Sequence, residues 1–152
     1  TNIARFINLA QEEGENWVIS SLSFSHKEEL KFELEEYGIT EKVIITEVVP
    51  PLDSNLPIVQ EAKSQLKSKF DHVSLEGYIV GKMTLKILRT IPGEINRKNF
   101  LKQVAMSKFD LGGIAIDFTQ GRTQSSNLVL ISVFTPQGFT NLKKNQLMAL
   151  FQ

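Results

Sequence analysis

The chain has 152 residues, no cysteine, and 17 basic residues against 17 acidic ones, so its formal net charge is zero. A chain of this length can bury a hydrophobic core. The lack of cysteine excludes a disulfide framework, thiol catalysis and cysteine-ligated zinc. There is no run of about 18 apolar residues that would cross a membrane. The first residues also lack the continuous apolar core of a signal peptide.

The charges are unevenly distributed along the chain. The first 50 residues hold ten acidic and four basic side chains, so the rest of the chain is positive. The lysines between residues 63 and 108 alternate with apolar residues at helical spacing, which is typical of a solvated helix face. A nucleic-acid partner, which favours clustered bases with interleaved aromatics, is therefore not predicted.

The first 50 residues alternate between helix and strand patterns. Apolar residues at i, i+3, i+4 and i+7 predict a helix over Ile3–Glu13. Trp17–Phe24 is a candidate strand, and an S-x-x-E capping box at Ser25 opens a second helix that ends at Gly38. Residues 42–49 are β-branched and apolar on both faces, which is typical of a buried parallel strand.

The middle of the chain is helical in pattern. A helix is predicted over residues 58–70, and Ser74 can cap a long helix over residues 75–91. Gly77 and Gly81 lie one turn apart in that helix. Because each glycine costs helix stability, the pair predicts close approach of a neighbouring backbone or of a ligand.

The last third of the chain is extended in pattern. After a further helix capped by Asn96, an extended segment covers residues 109–118, a strand covers 127–134, and a turn at Pro136 leads to a short strand over 139–141. Residues 142–151 fit either a helix or a frayed tail. The fold class predicted is α/β with a mostly parallel sheet and flanking helices, ending in an antiparallel hairpin.

Motifs for catalysis, metal binding and phosphate binding are missing. His26 and His72 lack zinc-ligand spacing and are predicted in surface loops. No G-x-S-x-G, GxGxxG or GxxxxGK[ST] sequence occurs, and Asp110 and Asp117 are not assigned as an acid pair. We therefore predict no catalytic residue, no metal and no cofactor, with a free-standing enzyme kept as the least favoured alternative.

Three segments carry a resemblance to a known family. They are Val43–Pro51 (VIITEVVPP), His72–Ile79 (HVSLEGYI), and Phe109–Gly113 (FDLGG) followed by Ile116–Phe118. In order and spacing, the chain resembles the type I periplasmic binding proteins, and specifically their branched-chain amino acid (leucine/isoleucine/valine)-binding family. The resemblance covers about residues 1–140.

The resemblance implies two α/β (Rossmann-like) lobes joined by crossovers, of which this chain would be the C-terminal portion. Residues 1–49 would belong to the second lobe, residues 50–118 to the first, and residues 119–152 would return to the second. An incomplete pair of lobes leaves sheet edges open to pairing, so a homodimer of the chain is an expected partner.

The resemblance also implies a function and a location. The chain would be periplasmic or extracytoplasmic, and would bind an amino acid or similar small polar molecule in a cleft that closes by hinge bending. Its partner would be the membrane permease of an ABC-type importer. The alternative is the ligand-binding ectodomain of a signalling receptor.

Two groups of residues are expected to contact the ligand: Ser21, Ser23 and Phe24 at the end of the first strand, and Ser74, Glu76 and Gly77 at the start of the long helix. Open α/β sheets bind ligands at the carboxyl ends of their strands, and helix N-termini suit a small anionic group. Ser74 could instead be only a helix cap, and Glu76 is favoured in a first turn without any ligand. Residues 23–26 place no acid where some relatives bind the ligand's ammonium, so the solute's identity stays open.

Overall fold

A computed structural model describes residues 2–22, 27–121, 123–142 and 144–147. The chain divides into two compact units, residues 1–48 with 129–152, and residues 49–128. Residues 119–128 therefore belong to the same unit as residues 49–118, whereas the sequence-based division placed them with the last segment. The assignment of the two units to named lobes stays a prediction.

Helices and strands follow one another along the chain as predicted for an α/β protein. The helices are α1 (Asn2–Glu12), α2 (Lys27–Glu36), α3 (Pro57–Leu66), α4 (His72–Leu88), α5 (Arg97–Ala105) and α6 (Lys144–Leu147). The strands are β1 (Ile19–Leu22), β2 (Val43–Glu47), β3 (Lys108–Asp110), β4 (Ala115–Asp117), β5 (Leu130–Thr135) and β6 (Gly138–Asn141). A short 3₁₀ turn, Lys67–Lys69, extends α3.

The first unit is built on a four-stranded sheet of order β1-β2-β5-β6. β1 and β2 are parallel and are joined through α2, whereas β5 pairs antiparallel with β2 and with β6. The α/β class and the antiparallel C-terminal hairpin are thus confirmed, whereas the sheet, predicted to be mostly parallel, is mixed and contains one parallel pair. Alternate residues of β2 pack against α1 and α2 to form one core, which contains Ala4, Ile7, Leu30, Leu34, Ile39, Val43, Ile45 and Phe134.

The second unit consists of α3, α4 and α5 with a small antiparallel hairpin of β3 and β4. Its core joins the buried faces of α3 and α4 to the hairpin, through Val49, Ile58, Val59, Ala62, Leu75, Leu111, Ile114 and Ile116. The segment predicted as extended over residues 109–118 forms this hairpin, with Gly112 and Gly113 at its turn. Both glycines have positive φ, as the tight turn requires.

The ends of several elements differ from the prediction. α4 begins at His72, because Asp71 and not Ser74 is its N-cap, and it ends at Leu88. His72 is therefore a half-buried first helical residue and not a loop residue. Asn96 does cap α5, since its side chain accepts a hydrogen bond from the Asn99 N–H. The capping box predicted at Ser25, and His26, lie outside the described residues.

Candidate functional site

The first group of predicted ligand contacts lies at the carboxyl end of β1. Ser21 is half-buried, sits opposite Ile45 in the parallel register, and accepts a 3.4 Å hydrogen bond from Thr46 Oγ1 at its carbonyl. Parallel strands of this kind bind ligands beyond their carboxyl ends. Ser23 and Phe24 lie outside the described residues, so their role as ligand contacts stays a prediction.

The second group lies at the start of α4, where the structure gives Ser74 a capping role. The Ser74 N–H donates to Asp71 Oδ1 at 2.7 Å, and Ser74 Oγ accepts from the Asp71 N–H at 2.8 Å. Ser74 Oγ also lies 3.1 Å from the Asp71 carbonyl oxygen, to which it donates. This reciprocal pair satisfies a first-turn N–H that the prediction left open to a ligand. The D-x-x-S spacing of Asp71 and Ser74 is the sequence signal for this cap.

Glu76 and Gly77 follow one turn into α4. Glu76 is half-buried and Gly77 is exposed. A Cβ added at Gly77 or at Gly81 would meet nothing within 4 Å among the described residues. The close approach predicted from these two glycines is therefore not made by the described part of this chain. Ser21 and the α4 residues lie in different units.

A buried polar cluster in the first unit was missed by sequence reasoning. Glu47, the last residue of β2, is 3% exposed, and both of its carboxylate oxygens accept hydrogen bonds from Lys27 Nζ, at 3.2 and 3.1 Å. The fully buried Ser132 donates to Glu47 Oε2 at 2.7 Å, and Lys27 Nζ lies 3.1 Å from Ser132 Oγ. The sequence signal for this cluster was an acidic residue at the end of a strand rich in β-branched residues.

A groove of about 500 Å³ lies in the second unit between α3, α4 and the Gly112 turn. Lys82 and Lys86 of α4, with Arg89 at its C-cap, line one side of the groove at i, i+4 and i+7. Lys82 Nζ pairs with Glu61 at 2.7 Å, and Lys86 Nζ donates to the Asp110 carbonyl at 2.8 Å. The hydrogen bond from Lys82, then that from Tyr78, lowers the pKa of Glu61. Burial, with the Glu61 bond, raises the pKa of Tyr78.

Asp117, at the end of β4, has a pKa well below its ordinary value. The hydroxyl and N–H of Thr119 donate to its Oδ1 at 2.6 and 2.9 Å, and Lys108 Nζ lies 2.9 Å from its Oδ2. The Thr119 hydroxyl bond first, and then Lys108, lowers its pKa to about 2. Asp110 instead accepts from the Gly113 N–H at the hairpin turn. These contacts make both acids part of the local structure of the hairpin.

Two further properties bear on the class of site. Within residues 2–22, 27–121, 123–142 and 144–147, no three histidine or acidic side chains come together as metal ligands. The same residues include no helix long and apolar enough to cross a membrane.

Solved structures show which fold this is. The chain is similar to a possible leucine/isoleucine/valine-binding protein from Rhodopirellula baltica SH 1, with a TM-score of 0.77 and 27% identity over 96% of this chain. A substrate-binding periplasmic protein from Ralstonia solanacearum matches with a TM-score of 0.67 and 19% identity over 91% of the chain. The fold is that of a periplasmic binding protein.

A third structure has the same fold, and each match covers most of this chain but less than half of the solved structure. An extracellular ligand-binding receptor from Verminephrobacter eiseniae matches with a TM-score of 0.63 and 22% identity over 82% of the chain. The chain spans 41%, 42% and 37% of these three structures, about two fifths of their length. No family model and no curated protein matches the chain. The resemblance read from VIITEVVPP, VSLEGY and FDLGG is confirmed by these periplasmic-binding-protein folds.

Proposed function

We propose that this chain is part of an extracytoplasmic solute-binding protein whose ligand is an amino acid or a similar small polar molecule. The observation that carries the proposal is the 27% identity and TM-score of 0.77, over nearly the whole chain, to a possible leucine/isoleucine/valine-binding protein. The other two structures are named as a substrate-binding periplasmic protein and a ligand-binding receptor, which supports a binding role over a catalytic one.

The proposed ligand contacts are those predicted from the sequence, one group in each unit. Ser21 would act from the carboxyl end of β1, Ser23 and Phe24 from the residues that follow it, and Glu76 and Gly77 from early α4. Gly77 is the proposed contact that a substitution tests most directly, because a glycine facing open space leaves room for a ligand at the helix surface. Ser74 would act mainly through the cap that fixes the start of α4.

Calorimetry of the full-length protein against a panel of amino acids and small carboxylates tests the proposal. Gly77→Ala and Gly81→Ala form a matched pair, since both glycines lie in α4 and face open space. Both substitutions should stabilise the helix equally, by up to about 1 kcal/mol. Only Gly77→Ala should weaken binding of the compound identified. Equal affinities of the two variants would remove Gly77 from the site.

The transport role is the finer part of the proposal. An importer component would work with a membrane permease, and deleting its gene should abolish cellular uptake of the labelled solute. A sensor ectodomain would leave uptake intact and change a signalling response to the same solute. The expected result is loss of uptake.

Self-association is proposed separately. Among the described residues β1 is an edge strand of the four-stranded sheet, and Trp17, just before it, and Leu22, its last residue, are each more than half exposed. An open edge beside apolar side chains favours pairing with a second copy. Light scattering of the 152-residue chain should show a dimer, and a monodisperse monomer would rule this out.

A further inference from the structure

The contacts of Lys27 describe a complete binding site for a primary ammonium group. Its Nζ lies 3.2 and 3.1 Å from the two oxygens of Glu47 and 3.1 Å from Ser132 Oγ. It also lies 5.6 Å from the centroid of the Phe139 ring. A carboxylate, a hydroxyl and an aromatic ring are the groups that bind an alkylammonium ion in a partly buried site.

The position of Lys27 in its helix is unusual for a lysine. Lys27 is the first residue of α2, where the helix dipole disfavours a cation. Leu30 and Leu34 follow at i+3 and i+7 and are fully buried, so Lys27 continues the buried face of the helix. Its side chain is 17% exposed and that of Glu47 is 4% exposed. The Glu47 carboxylate is what makes a lysine favourable there.

The rest of the site is held rigidly by the sheet. Glu47 ends β2, and Ser132 lies on the neighbouring strand β5, opposite Ile45 in the antiparallel register. Phe139 on β6 packs against Phe134 with ring centroids 5.1 Å apart. Three adjacent strands thus fix the carboxylate, the hydroxyl and the ring, independently of the side chain that brings the ammonium.

We propose that Glu47, Ser132 and Phe139 form an ammonium-binding site which the chain fills with its own Lys27. The site lies at the carboxyl end of β2, the parallel neighbour of β1, at whose end the ligand is proposed to bind. Resting on that proposed function, the inference adds that Lys27 holds the Glu47 carboxylate within the chain. It occupies the acid that a ligand's ammonium could otherwise use, so the solute is not recognised through an ammonium group at Glu47.

Chemical rescue tests the site without knowledge of the ligand. Lys27→Ala in the full-length protein removes three methylenes and the ammonium, the atoms that n-propylammonium carries. The expected result is a saturable rise in the thermal unfolding midpoint of Lys27→Ala with n-propylammonium chloride, and no such rise in the wild type. If Lys27→Ala does not fold alone, recovery of a cooperative transition on adding the amine is the same positive result.

Three controls give the result its meaning. Tetramethylammonium at equal ionic strength cannot donate an N–H bond and should not rescue. Lys27→Ala with Glu47→Gln should lose the rescue, since the carboxylate is gone. Lys31→Ala removes a half-buried lysine of the same helix that pairs with Glu35, and should show no response to the amine.

The inference is overturned if n-propylammonium fails to stabilise or restore Lys27→Ala, or if tetramethylammonium does so equally well. Failure of the proposed binding function would be seen differently, as the absence of any calorimetric signal from the wild type with the solute panel. The rescue measurement is unaffected by that outcome, so the two can fail separately.

Discussion

The backbone N–H of Ile58 donates a 3.1 Å hydrogen bond to the carbonyl oxygen of Gly112. Ile58 lies in the first turn of α3, whose N-cap residue Leu56 makes no side-chain capping bond. The hairpin turn therefore satisfies an N–H that a helix N-terminus leaves open. This contact joins α3 to the FDLGG segment, which resembles the binding-protein family, and it requires a glycine at the turn.

Gly112→Ala should destabilise the second unit strongly. A Cβ at Gly112 would lie 2.8 Å from the Ile58 nitrogen, and the residue has a φ of +65°. The left-handed backbone alone costs an alanine about 1 kcal/mol, and the contact with a backbone atom adds to it, so we expect a loss of about 2 kcal/mol or more. Urea denaturation measures this. Gly81→Ala is the control and should be neutral or stabilising.

The cap of α4 predicts a pair of smaller effects. Asp71→Ala removes the acceptor for the Ser74 N–H, and should cost about 1 kcal/mol of unfolding free energy. Ser74→Ala removes the return bond to the Asp71 N–H and should cost somewhat less. Thermal denaturation of both variants and of Asp71→Ala/Ser74→Ala checks this. A double variant as destabilised as the two single effects added together would show that the two bonds do not form one unit.

The low pKa of Asp117 predicts how the stability of the fold changes at acidic pH. Its folded pKa of about 2 lies below the ordinary value of 3.8. A depressed carboxyl pKa stabilises the fold above the unfolded pKa and loses that contribution as the pH falls through the folded pKa. The stability difference between wild type and Asp117→Asn should therefore be constant above about pH 5 and narrow between about pH 4 and 2. Denaturant titrations across that range measure it.

The causes of that shift can be separated by two variants. The Thr119 hydroxyl contributes most to the low pKa of Asp117, and Lys108 comes next. Thr119→Val and Lys108→Gln should therefore each raise the Asp117 pKa, as followed by carboxyl NMR titration. An unchanged pKa in Thr119→Val would mean that Lys108, and not the hydroxyl bond, holds the carboxylate ionised.

The Lys27–Glu47 pair predicts that replacing the lysine alone destabilises the fold more than replacing both residues. Lys27→Met leaves the buried Glu47 carboxylate without its ammonium partner, and breaking a buried pair in this way costs about 3–5 kcal/mol. Replacing both, as Lys27→Met/Glu47→Leu, removes the uncompensated charge and should recover most of that loss. Guanidinium denaturation of the single and double variants gives the comparison. A double variant less stable than Lys27→Met would contradict it.

Local signals in the sequence were sufficient for most elements. The β-branched run at residues 42–49 identified β2, and the antiparallel final hairpin followed from the turn at Pro136. The start of α4 was misplaced because Asp71 and Ser74 are both good capping residues, and only their geometry shows that Asp71 is the cap. Capping patterns alone do not choose between two such residues three positions apart.

The buried cluster was not predictable in the same way. Lys27, Glu47 and Ser132 are 20 and 85 residues apart along the chain, so no local periodicity relates them. They meet because β5 pairs with β2 and α2 packs over both. Likewise, residues 109–118 were predicted as one extended segment, and the contact with Ile58 that requires glycine at position 112 depends on tertiary packing.

The central claim, that the protein binds a small polar solute, is tested most directly by calorimetry of the full-length protein against amino acids and small carboxylates. We predict saturable one-to-one binding of at least one compound. That compound should also raise the unfolding free energy, by about 2.7 kcal/mol when its concentration is 100 times the Kd. No heat and no thermal shift with any member of the panel would contradict the claim.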